Sequence, residues 1–173
     1  MEPPRAAGWS PERARTRSRG GREWHPSDGV TLATTGSDPE VRLWDVRAAK
    51  MSHSVGGKTS IAGDSVDMSS CCNYLATGGG TLGEGVQIWD MRNLRTPMCS
   101  FVWQTAPSGD IVNPVVNSLR FLPRTPIVMA GCSDEAGQSA KCFSLQTGDV
   151  VEEFHRLGKN CFPLDVPRDG NRA

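Results

Sequence analysis

The sequence predicts an all-β chain made of repeated four-stranded antiparallel sheets, about three of them plus the first strand of a fourth. Three observations lead there. From about residue 22 onward, short β-rich runs alternate with clusters of Gly, Ser, Asp and Pro, the punctuation of strands and turns. Two segments repeat: LATTGSDPEVRLWDVR at 32–47 and LATGGGTLGEGVQIWDMR at 75–92. Both open on Leu-Ala-Thr and close on Trp-Asp-x-Arg, which sets Trp44 and Trp89 45 positions apart. Within the repeats, Val41 and Leu43, like Val86 and Ile88, flank the polar Arg42 and Gln87, the period of two that a pleated strand imposes.

In chain order, residues 1–21 come first, rich in Arg and Pro and nearly devoid of large apolar side chains. Such a segment buries too little surface to offset its ordering entropy, so a disordered tail is expected. The rest, 22–173, resolves into units at about 22–56, 61–104 and 115–156, with a stub at 160–170. The first unit takes a poor strand at Glu23–His25, then Val30–Thr35, Val41–Val46 and Lys50–Val55. The second takes Ser65–Met68, Tyr74–Thr77, Val86–Met91 and Met98–Trp103. The third takes Asn117–Leu122, Ile127–Ala130, Ala140–Leu145 and Val150–Phe154. It is a weaker copy in which Phe143-Ser144 stands where Trp-Asp is expected, 54 positions beyond Trp89. The stub, CFPLDVPRDGN at 161–171, is similar to NSLRFLPRTP at 117–126.

Trp44-Asp45 and Trp89-Asp90, at this spacing, resemble the WD40 repeat family. The resemblance covers about 22–170 and implies a partial β-propeller, whose blades pack face to face around a channel. It also implies a hydrogen-bonded tetrad. Its turn aspartate maps to Asp38 and Asp134, its hydroxyl to a position near Thr35 or Thr77, and its ring to Trp44 and Trp89. The family's Gly-His is missing, since 56–63 reads GGKTSIAG. A seven-bladed ring needs roughly 300 residues, so about 150 residues after the tail suit three blades and a stub. The expectation is a fragment, a truncated isoform lacking full propeller function, or an arc needing further blades from another chain.

The remaining motifs point away from chemistry. Gly78, Gly80 and Gly83 match G-x-G-x-x-G, but a strand rather than a helix is expected next, so the glycines read as a hairpin turn. Gly57-Lys58-Thr59 lacks the opening Gly of a P-loop. Cys132, Cys142, His155 and Cys161 are spaced for no compact zinc motif. His25, His53 and His155 fall on separate elements, so no catalytic constellation can be drawn. No enzyme activity, cofactor or metal is expected. The six cysteines include no Cys-x-x-Cys pair and read as reduced thiols in a cytoplasmic or nuclear protein, not a secreted one. No apolar run is long enough to span a bilayer, so no membrane association is expected. Net charge is zero; nucleic acid is expected at most weakly, through Arg13, Arg15, Arg17, Arg19 and Arg22.

The function expected is a protein-interaction scaffold that binds other proteins through rim loops. The resemblance places second-to-third loops and blade-to-blade loops on one rim, which gathers the extended segments 78–85, 104–116 and 131–139. Trp103 and Ile111 are the candidate anchors there. Arg47 and Arg92 should lie on the opposite rim. The stretch 32–47 also resembles the box of WD40 substrate receptors for cullin-RING ubiquitin ligases, with Asp38, Trp44, Asp45 and Arg47 in place. That alternative implies a ligase adaptor as partner. A structural subunit of a large assembly, such as the axoneme or a transport coat, is the other alternative.

Overall fold

A computed structural model describes residues 21–36, 40–56, 61–79, 85–103, 115–134 and 137–157. They form twelve strands: β1 (Arg22–Trp24), β2 (Thr31–Thr34), β3 (Glu40–Asp45), β4 (Lys50–Gly56), β5 (Ile61–Met68), β6 (Tyr74–Gly79), β7 (Val86–Asp90), β8 (Cys99–Phe101), β9 (Val115–Phe121), β10 (Ile127–Asp134), β11 (Gly137–Ser144) and β12 (Val150–Leu157). Consecutive strands pair antiparallel in three groups of four, each group one blade. The second and third blades touch through their first strands, where Asp64 pairs in parallel with Ser118.

The repeats superpose in register as well as in sequence. Leu32 faces Trp44, Leu75 faces Trp89, and Val128 faces Phe143. The first and third blades also share a bulge between the third and fourth strands, at Leu43/Trp44 and Cys142/Phe143. Alternation then sends each strand's side chains to two faces. Ala33, Val41, Leu43 and Val55 of the first blade meet Val66, Met68, Leu75 and Trp89 of the second in one buried cluster. On the second blade's other face, Ala76, Val86, Ile88, Phe101 and Trp103 meet Val116, Leu119, Phe121, Val128 and Phe143 of the third. Because the second blade is covered on both faces, β7 is buried from Val86 to Trp89.

Polar side chains tie the second joint. Asp67, buried on β5, accepts the Phe121 N–H at 2.7 Å across the blade boundary. Ser65 donates to the Val116 carbonyl. Gly78 is required where β6 passes this joint, since a Cβ there would lie 2.5 Å from Val116 Cγ1 and 2.8 Å from Ser65 Cβ.

The bounds of two expected elements need correction, and one expected position becomes definite. The segment 131–139, expected as an extended loop, is largely a hairpin: Gly131 pairs with Ala140, Cys132 with Ser139, Ser133 with Gln138 and Asp134 with Gly137. Ladder hydrogen bonds use the backbone alone, so a run of small and polar residues can extend a strand without an apolar signal. The hydroxyl expected near Thr35 is Thr34. Thr34 Oγ1 accepts the Trp44 Nε1–H at 2.9 Å, whereas Thr35 exchanges backbone and side-chain hydrogen bonds with Gly21. The strand expected at Glu23–His25 begins one residue earlier, at Arg22.

Candidate protein-interaction site

Antiparallel order fixes which turns share a rim. The first-to-second and third-to-fourth connections of every blade leave from the same end. That rim carries the turns 25–30, 46–49, 69–73, 91–98, 122–126 and 145–149, all within the described residues. Contact between Ser27 Oγ and Cys72 Sγ, 3.2 Å apart, joins the first blade's rim to the second's. The turns are tight: Ala49, Cys72, Arg124, Gly29 and Gly148 all have positive φ.

The Asp of each Trp-Asp pair builds the turn that follows it. Asp45 Oδ1 accepts the N–H groups of Arg47 at 2.9 Å and Ala48 at 3.0 Å. Those backbone donors, Ala48 first, hold its carboxyl below the usual aspartate range. Asp90 Oδ1 accepts the Arg92 N–H, and its two oxygens receive Arg92 Nε at 2.9 Å and Nη2 at 2.7 Å. This guanidinium contact, with the backbone bond, lowers the Asp90 carboxyl to about 2. In the third blade Ser144 takes the same place and accepts Gln146 and Thr147 N–H, each at 3.3 Å. A neutral hydroxyl does the carboxylate's work with longer bonds.

Arg47 and Arg92 thus stand at equivalent positions on this rim, both exposed. They differ in their partners. Arg92 is clamped on Asp90, while the Arg47 guanidinium makes no hydrogen bond or ion pair among the described residues. Lys50, Arg95 and Arg124 are exposed on the same rim, and Asp28 and Asp149 are the exposed acids there. The sequence signal for these extra cations was available: a basic residue beside a turn in each repeat. Its meaning depends on three turns from different blades meeting at one end.

Asp38, Ile111 and the segments 80–84 and 104–114, expected on the opposite rim or its turns, lie outside the described residues. Asp134 closes β10, and its side chain also lies outside the description. Trp103 does not serve as a surface anchor. It is 1 % exposed and packs edge-on against Phe143 of the third blade, ring centroids 5.7 Å apart. Lys141 Nζ lies 5.4 Å from its ring centroid and pairs with Glu153 at 2.9 Å. The ring is an inter-blade wedge: it joins the apolar cluster between the second and third blades instead of pointing to solvent.

Trp44 and Trp89 each hydrogen-bond a threonine on the neighbouring second strand, Trp89 Nε1 donating to Thr77 Oγ1 at 3.0 Å. Phe143 keeps the ring's place in the third blade without the donor. Glycines 78 and 79 belong to β6, and strand β7 follows the turn, so no helix N-terminus faces them. Of the cysteines, Cys132 and Cys142 are buried on strands, Cys99 is half-buried, and Cys71 and Cys72 occupy the β5–β6 turn, all as free thiols; Cys161 lies outside the described residues.

Two solved structures share this blade arrangement. One titled Structure of U3-55K matches with a TM-score of 0.63 at 17 % identity, covering 81 % of this chain and 40 % of that one. Another, titled Crystal structure of RRP9 WD40 repeats, matches with a TM-score of 0.62 at 17 % identity, covering 80 % and 39 %. The blades have the fold of part of a WD40 propeller. Human GATOR2 complex protein WDR24 is 33 % identical over 81 residues, 46 % of this chain and 10 % of that protein. No protein-family model matches the chain. The chain therefore spans about two fifths of the solved chains and about a tenth of the human relative.

Proposed function

We propose that this chain is a non-catalytic protein-interaction scaffold, and that the rim bearing Arg47 and Arg92 receives the partner. One observation carries the reading: turns built by Asp45 and Asp90 hold two equivalent arginines outward at one end of adjacent blades. Their carboxylates are occupied within the turns, so the rim's outward charge is dominated by Arg47, Lys50, Arg92, Arg95 and Arg124. Such a surface suits an acidic protein segment, with the guanidinium groups supplying paired donors to carboxylates. WD40 domains are typically interaction scaffolds, and a protein named as part of the GATOR2 complex shares identity with part of this chain. Free thiols at five described cysteines support action in a reducing compartment, the cytoplasm or nucleus.

The test is quantitative capture of partners by the full chain against the Arg47→Glu/Arg92→Glu variant. The expected result is loss of a defined set of acidic partners, with wild-type binding weakened by added salt. A partner set unchanged by the charge reversal overturns the reading. A substrate-receptor role is the second reading, favoured by the uncommitted Arg47 guanidinium at the end of the 32–47 box. It requires a purified cullin-RING adaptor to bind wild type and Arg92→Ala but not Arg47→Ala.

A further inference from the structure

Two of the described thiols are neighbours in sequence, Cys71 and Cys72, and both occupy the β5–β6 turn. The others, Cys99, Cys132 and Cys142, lie on strands. Ser69 builds the turn. Its N–H donates to the Tyr74 carbonyl at 2.9 Å, and its carbonyl accepts the Cys72 N–H at 2.8 Å. Its hydroxyl oxygen accepts the Tyr74 N–H at 3.0 Å. Cys72 closes the turn at a φ of 62°, in the left-handed region that residues with a Cβ seldom enter.

The two sulfurs stand in different surroundings. Cys71 is exposed, and its Sγ lies 3.3 Å from Ser69 Oγ. The Ser69 oxygen already accepts the Tyr74 N–H, so its own proton can be given to that sulfur. Partial burial pushes the Cys71 thiol up, but the Ser69 hydroxyl and the Asn73 backbone and side-chain groups outweigh it and hold the thiol below its usual range. Cys72 is half-buried. Its thiol donates to the Ser70 carbonyl at 3.8 Å, and its sulfur lies 3.2 Å from Ser27 Oγ of the first blade. Burial pushes the Cys99 thiol up, and burial together with Glu152 does the same to Cys142. The thiolate is the reactive form, so these surroundings favour reaction at Cys71 over Cys99 and Cys142.

We propose that Cys71 and Cys72 form a reversible dithiol site for hydroperoxides, with Cys71 taking the oxygen and Cys72 resolving it. In the first step the Cys71 sulfur attacks the terminal hydroperoxide oxygen. An S–O bond forms, the O–O bond breaks, and the alcohol or water leaves with the proton of the Cys71 thiol. In the second step the Cys72 sulfur attacks the sulfenic sulfur. The S–S bond forms, the S–O bond breaks, and hydroxide leaves with the Cys72 proton as water. The pair of thiols is oxidised to a disulfide and the hydroperoxide is reduced. Consecutive Cα atoms lie about 3.8 Å apart, closer than the roughly 4.4 Å at which most disulfides begin, so the bond is strained and readily reduced by a dithiol. The site therefore stays open in a reducing compartment and closes when hydroperoxide appears. This proposal does not rest on the arginine rim as a partner surface, since its readout is the chemistry of one peptide.

Limiting hydrogen peroxide added to the reduced full chain, followed by alkylation, trypsin and mass spectrometry, tests it. Cleavage after Lys58 and Arg92 leaves Cys71 and Cys72, and no other cysteine, in the peptide 59–92. The expected product is that peptide lighter by about 2 Da and closed to alkylation, with dithiothreitol restoring both thiols. Cys72→Ser lacks the resolving thiol and should accumulate a dimedone adduct on Cys71 about tenfold above wild type. Cys71→Ser should slow oxidation of the peptide about tenfold or more. Both variants exchange sulfur for oxygen in an exposed turn, and the wild-type mapping depends on neither. Oxidation appearing first at Cys99, Cys132, Cys142 or Cys161 overturns the proposal. So does a wild-type peptide that collects dimedone as fast as Cys72→Ser, because Cys72 then resolves nothing. An unchanged rate in Cys71→Ser overturns the roles given to the two thiols.

Discussion

Asp67 gives a measurable handle on the joint between the second and third blades. Burial raises its carboxyl from 3.8 to about 6, although the Phe121 N–H and the nearby Arg120 favour the charged form. A folded-state value above the unfolded one means that stability is fully present below about pH 3.8. It is lost as pH rises through about 6 and is level above that. At roughly 1.4 kcal/mol per unit, the loss is on the order of 3 kcal/mol. Asp67→Asn keeps an oxygen to accept the Phe121 N–H and removes the charge. Urea unfolding of both proteins, followed by tryptophan fluorescence from about pH 4 to about pH 8, isolates this group because the other carboxylates cancel in the difference. The variant should match wild type at the acid end and exceed it by roughly 2–3 kcal/mol at neutral pH, the gap opening between about pH 4 and 6. A gap that is constant across this range, or that opens in the other direction, would show that the carboxylate is not held in a desolvating joint.

Two further substitutions test the packing. Gly78→Ala forces a methyl group against Val116 and against Ser65 Cβ, neither of which can swing away as the end of a flexible side chain could. A loss of about 1–3 kcal/mol is expected in chemical denaturation, and an unchanged midpoint would contradict the close approach of β6 to β9. Trp89→Phe leaves the buried Thr77 hydroxyl without its donor and opens space at the first joint, costing about 2–4 kcal/mol. Trp44→Phe breaks the equivalent bond on a half-exposed face and should cost less than half as much; equal losses would refute the difference in burial.

The repeat was legible because its residues act locally. Trp44 and Trp89 bond a threonine on the adjacent strand, and Asp45 and Asp90 bond the turn directly after them, so fixed spacing records a fixed job. Register carried the same information into the third blade, where Phe143 and Ser144 occupy the two positions with altered chemistry. What stayed hidden depends on distant partners. Asp67 and Lys141 look like solvated charges in sequence, yet both are buried, one against Phe121 of the next blade and the other between Trp103 and Glu153. The hairpin at 131–139 was missed because its pairing is made by backbone groups that side-chain pattern does not report. Trp103 reads in sequence as an aromatic anchor for a partner, and nothing local reports that its ring packs against Phe143 of another blade.

The loss of the third blade's tryptophan has a structural consequence beyond one hydrogen bond. In the first two blades the indole ties the second and third strands of its own sheet together. In the third, Phe143 has no polar handle, and the space around it is filled from outside: Phe101 at 4.8 Å and Trp103 at 5.7 Å between ring centroids, both from the second blade. Lys141 then sits over the Trp103 ring and is held by Glu153 on β12, so the wedge is secured across the outer strands of the third blade. An intra-blade lock has become an inter-blade one. In a repeat protein, stability is shared between each unit and its neighbour contacts. Here the balance differs from joint to joint. The first blade keeps its own Trp–Thr bond and meets the second mainly through apolar packing. The third borrows its aromatic core, its Asp67 acceptor and its Ser65 donor from the second. The second and third blades therefore form one cooperative unit, and the first is the element that can loosen without dismantling the rest.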